Sequence, residues 1–110
     1  MEAKNYILPL LEPFGLTANH LCVAYLARAV EIVSLQPEKI HAIRKCVCEV
    51  IAEEFGVEGI SIDSGLRRLA SAAWRTDPDY LSQLAGRPLT KCPSTVQLIE
   101  IFVQLKKHSS

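Results

Sequence analysis

The chain has 110 residues, about half of them hydrophobic and about a fifth charged, with twelve Lys and Arg against twelve Asp and Glu. This is enough for one domain with its own core, and the balance excludes a disordered tail, a disulfide scaffold or a strongly basic nucleic-acid coat. No apolar run is long enough to cross a bilayer and the first residues lack a basic, cleavable leader, so a cytoplasmic protein with four free thiols and no membrane contact is expected. The zero net charge hides an asymmetry: residues 1–60 hold five Lys and Arg against eight Asp and Glu, and residues 61–110 hold seven against four.

Tyr6 to Leu11 reads as a short first helix, with Pro9 near its start and Pro13 closing it. After the turn at Phe14-Gly15, Thr17 is the expected N-cap of a helix to about Ser34, with Leu21, Tyr25, Ile32 and Val33 on one apolar stripe and Cys22, Leu26 and Val30 on another. A helix apolar on most sides belongs at the centre. Pro37 opens the next helix, in which Ile40, Ile43, Val47, Val50, Ile51 and Phe55 follow at helical spacing until Gly56 stops it. Its charged residues, Glu49 and Glu53 after Lys45 among them, read as a solvated outer face.

A short linker through Ile60 leads to a helix with Ser61 as its N-cap and Asp63 in its first turn. Ile62, Leu66, Leu69, Ala70 and Ala73 form its inner stripe, and Ser64, Arg67, Arg68, Ser71 and Arg75 its outer one. Two amphipathic helices joined by a short glycine-containing turn, the second with a basic outer face, make a helix-turn-helix over about 38–75. Asp77-Pro78 starts a further helix, Tyr80 to Ala85, stopped by Gly86. Arg87 and Lys91 lie in the loop that follows, and Ser94 with Gln97 forms a capping box for a last helix whose Leu98, Ile101, Phe102 and Leu105 face inward. The fold class is therefore all-α, a single domain of about six helices.

No catalytic constellation is visible. His20, His41 and His108 are scattered, and no glycine-rich phosphate loop occurs. Cys46 and Cys48, two apart on a helix, point to nearly opposite sides and cannot grip one metal ion. No enzyme, metal or cofactor is expected.

From Gly15 onward the chain resembles the C-terminal DNA-binding effector domains of sporulation initiation response regulators of the stage zero sporulation protein A type. Gly15-Leu16-Thr17-Ala18, Tyr25-Leu26 and Ala29-Val30 look like that family's glycine-led turn and central helix. Ile51-Ala52-Glu53-Glu54-Phe55 and Ala73-Trp74 look like the ends of its two helix-turn-helix helices, and Pro93-Ser94 with Leu98-Ile99 like its closing helix.

The resemblance implies a transcription regulator that puts residues 61–74 into the major groove of double-stranded promoter DNA, pairs as a homodimer on DNA, and touches the RNA polymerase sigma factor through about Arg75 to Arg87. The receiver domain that precedes this domain in the family is expected to be missing. On this chain Ser61 and Ser64 stand where the family has arginines, Asp63 where it has a glutamate, Arg67 matches a retained arginine and Arg68 replaces a histidine. The candidate DNA contacts are thus Arg67 and Arg68, with Ser61, Asp63, Ser64 and Ser71 along the helix and Arg75, Arg87 and Lys91 positioning phosphates. The altered recognition helix and neutral charge leave open an alternative, an effector-like domain that acts by protein contact with weak or no DNA binding.

Overall fold

The computed structural model describes residues 3–16 and 20–108, with side chains described for 6–16 and 20–107. Among them six α-helices and no strand occur: α1 (Ala3–Leu11), α2 (Leu21–Leu35), α3 (Glu49–Phe55), α4 (Gly59–Thr76), α5 (Pro78–Ala85) and α6 (Thr95–His108). None is long and apolar enough to cross a membrane.

α2 forms the centre. Val23, Leu26, Ala29 and Val30 are fully buried, and the helix packs against α1, α4 and α6. Removing so many apolar side chains from water is the main force holding the domain together. The helix begins at Leu21, with His20 at the N-cap in extended conformation and making no side-chain cap. The expected cap, Thr17, lies outside the described residues. Leu21, expected in the inner stripe, is 64% exposed, although Val23 in the same turn is fully buried.

α1 starts earlier than the prolines imply, so Pro9 falls inside the helix rather than near its start. Ile7 and Leu11, four residues apart and both fully buried, hold this helix against the core, while exposed Pro9 faces solvent. The backbone hydrogen bond that proline forfeits is therefore on the solvent side, where water can replace it. Pro13 sits in a single 3-10 turn, residues 12–14, that ends at Gly15. Tyr80 of α5 donates its hydroxyl to the Leu10 carbonyl at 3.0 Å and packs against Phe14 with ring centroids 5.1 Å apart and planes tilted by 51°.

The helix expected from Pro37 to Phe55 is three pieces: a 3-10 segment at 37–42, a π-helical segment at 43–48, and α3. Ala42, at φ −135° and ψ 53°, breaks the ladder between the first two. A stretch wound tighter than an α-helix followed by one wound looser averages close to the α-helical period, which is why the apolar spacing alone did not separate them. Val47, Cys48, Ile51 and Ala52 are buried as their positions require, but Phe55 is 39% exposed because the chain leaves the core at Gly56. Gly56 adopts the left-handed conformation, φ 69°, and so ends α3 as read from the sequence.

The two remaining boundaries agree with the sequence. Asp77 caps α5 by accepting from the Tyr80 N–H at 3.0 Å, and Gly86 closes it at φ 74°. Ser94 and Gln97 form the reciprocal capping box of α6, Ser94 N–H to Gln97 Oε1 at 2.9 Å and Gln97 N–H to Ser94 Oγ at 3.2 Å.

Candidate nucleic-acid interface

α3 and α4, the pair read from the sequence as a helix-turn-helix, are joined by Gly56, Val57 and Glu58. α4 starts at Gly59, two residues before the expected Ser61, with the extended Glu58 at the N-cap. Ser61 therefore lies in the first turn, its N–H bonding the Glu58 carbonyl at 3.0 Å, and does not cap the helix.

The inner face of α4 is as expected: Ile62, Leu66, Leu69, Ala70 and Ala73 are all buried. Gly65 is buried as well, where α2 crosses. A Cβ there would stand 3.0 Å from Cδ2 and 3.2 Å from Cε2 of Tyr25, whose ring lies edge-on to Phe55 at 5.1 Å. A glycine that costs helix propensity is thus repaid by close approach of α2 and α4.

Asp63 also belongs to the inside. Placed among the DNA contacts by the sequence reading, it is 8% exposed and directed toward α6, where Thr95, itself buried, donates its hydroxyl to Asp63 Oδ1 at 3.4 Å. Its other oxygen receives Arg67 Nη2 at 2.9 Å, one helical turn along. Arg67 remains 72% exposed along its side chain, so its guanidinium is steered by Asp63 while still facing solvent. The same carboxylate, together with burial, pushes the Cys48 thiol up to about 11, burial being the larger cause, so Cys48 stays protonated and unreactive.

The outer face of α4 then carries Ser61, Arg67, Arg68 and Arg75 exposed and Ser64 and Ser71 half-buried. The helix's one carboxylate, Asp63, is buried beside it and reaches this face only through Arg67. Among the described residues Arg68, Arg75 and Arg87 make no ion pair, whereas Arg28, Arg44 and Arg67 each do. Arg68 and Arg75 border one hollow with Cys22; burial pushes that thiol above its ordinary value, with the Arg68 charge among the influences pulling it back. Arg87 borders a separate hollow between α5 and α6, whose lining also includes Glu100, and Lys91 is exposed in the loop before α6. The structure thus gathers the α4 residues on one face and does not bring Arg87 to the hollow shared by Arg68 and Arg75.

The chain matches no family model and no curated protein.

A salt bridge ties α3 to the central helix. Arg28 on α2 grips Glu54 on α3 with two parallel bonds, Nε to Oε1 and Nη2 to Oε2, each 2.8 Å, and adds Glu31 at 3.3 Å. Hydrogen bonding to Arg28 holds the Glu54 carboxyl below its ordinary range.

The turn has a character that the sequence reading missed. Val57 and Ile60 are exposed beside Phe55, Ile60 by 55%, and the adjoining hollow is lined by Glu49, Glu53 and Glu58 with Arg44 as its cation. The signal was present as the run Glu53-Glu54-Phe55-Gly56-Val57-Glu58-Gly59-Ile60, in which carboxylates and large apolar residues alternate around two glycines. No three His, Cys, Asp or Glu residues among those described are placed to hold a metal ion.

Proposed function

We propose that this domain binds double-stranded DNA through the outer face of α4, seated in the major groove, as a transcription regulator of the effector-domain type. The observation that carries the reading is the segregation of charge on α4: three arginines and three serines face outward over residues 61–75, and Asp63 faces in. Arginine supplies both phosphate neutralisation and bidentate base contacts, and serine hydroxyls add uncharged bonds to either. Arg68 and Arg75 bring the larger electrostatic share, since Arg67 is already held by Asp63. The resemblance to the sporulation effector domains supplies the context of promoter DNA, a homodimer on that DNA, and a sigma-factor contact.

With three α4 arginines against phosphates, log K should fall with log salt at a slope of about −2 to −3, shallow for a DNA-binding domain. Anisotropy titrations of a random and a sporulation promoter duplex across a salt series test this. Absence of binding at low salt, or an affinity unmoved by Arg67→Ala with Arg68→Ala, overturns it.

A second reading is favoured by the turn. Phe55, Val57 and Ile60 lie exposed beside Glu53 and Glu58 where the N-terminus of α4 would enter a groove, and carboxylates there oppose phosphate. On that reading the domain acts by protein contact, and no duplex binds even at low salt.

A further inference from the structure

Between the start of α2 and the second half of α4 lies a hollow of about 400 Å³. Its floor is apolar: Leu16 and Leu69 are buried, and Cys22 and Ala72 half-buried. Its rim carries Arg68 and Arg75, seven residues apart and so about 10 Å along one face of α4, with Ala72 between them. No carboxylate is among the described residues that line it. The hollow at the turn is different, lined by Glu49, Glu53 and Glu58 with Arg44, and that between α5 and α6 has both Glu100 and Arg87 in its lining.

Ligand pockets combine an apolar lining with a few polar groups that fix orientation, and this hollow falls at the small end of their size range. Its charged groups are two guanidiniums without an ion-pair partner among the described residues, and His20 and Ser71 add further polar groups to the lining. A planar guanidinium offers a carboxylate two parallel donors, which a bare ammonium does not. The apolar floor favours a ligand with a hydrophobic body over an inorganic anion.

We propose that this hollow binds a small organic carboxylate, its aromatic or short aliphatic body lying on Leu16, Leu69 and Ala72 and its carboxylate held by Arg68 and Arg75. Occupation withdraws two cations from the outer face of α4, so such a ligand opposes duplex binding. That coupling rests on the DNA-binding reading, and the site itself does not.

The test titrates the full chain, without DNA, with sodium 2-naphthoate, with the neutral 2-naphthamide and with inorganic phosphate, following backbone amide NMR shifts. The site requires saturable naphthoate shifts at Leu16, Cys22 and Ala72, and amide and phosphate affinities at least about tenfold weaker. Arg68→Gln with Arg75→Gln should weaken naphthoate by at least about tenfold at an unchanged urea midpoint. Equal binding of naphthoate and naphthamide, equal binding of phosphate, or no saturable shift at those residues overturns the proposal without any variant. Naphthoate that saturates the hollow yet leaves a bound duplex in place refutes the coupling alone. Failure of the free chain to bind any duplex refutes the DNA reading and leaves the NMR result standing.

Discussion

Removing the Asp63 carboxylate is the sharpest probe of how α4 is held. Asp63→Ala leaves the buried Thr95 hydroxyl without its partner and releases Arg67. An abandoned buried hydroxyl costs about 1–3 kcal/mol, here near the lower end because the 3.4 Å contact is long. The Arg67 pair adds at most about 1 kcal/mol, since that side chain is 72% exposed. Alanine returns about 0.6 kcal/mol of helix propensity. The net expectation is a loss of about 0.5–1.5 kcal/mol in urea unfolding. Thr95→Val removes the hydroxyl while keeping its volume, so in that background Asp63→Ala should cost no more than about 0.5 kcal/mol. Additive single and double variants, or an Asp63→Ala protein as stable as the parent, would refute the account.

Gly65→Ala should destabilise by about 1 kcal/mol, against the helix-propensity rule, because the new Cβ meets the buried Tyr25 ring at 3.0 Å; a gain of similar size in urea unfolding would show that Tyr25 moves aside. Glu54 has its carboxyl held low by Arg28, so its contribution is complete above the ordinary carboxylate value and is lost as pH falls through the depressed folded one. The stability difference between the parent and Glu54→Gln should therefore be about 0.5–1 kcal/mol at pH 7, small because the pair is over a third exposed, and should shrink once pH falls below the ordinary carboxylate value and vanish below the depressed folded one. The Ser34 hydroxyl is buried with no hydrogen-bond partner among the described residues, so Ser34→Ala should leave thermal stability unchanged or raise it by up to about 1 kcal/mol.

Elements set by local chemistry were legible in the sequence: the Asp77 and Ser94 caps, the glycine stops at 56 and 86, and the inner stripe of α4. Features that depend on what crosses behind a helix were not. Gly65 reads as a weakened recognition helix until Tyr25 is seen against it, and Asp63 reads as a groove contact until Thr95 is found 32 residues away. Periodicity reports which face is inward only where the winding is constant, and residues 37–48 change winding twice. The outer positions of Arg67, Arg68 and Arg75 followed from spacing alone. Which of them is tethered, and which two share a hollow, required the third dimension.

The irregular segment ahead of α3 has a consequence for how the domain tolerates change in length. In a continuous α-helix, deleting one residue turns everything downstream by about 100° and would swing Ile51 off the core. Residues 43–48 already hold surplus winding, so losing one residue there tightens the segment toward an ordinary α-helix and spares the register of α3. α3 and α4 are thereby buffered against the loss of a single residue in the segment that leads into them.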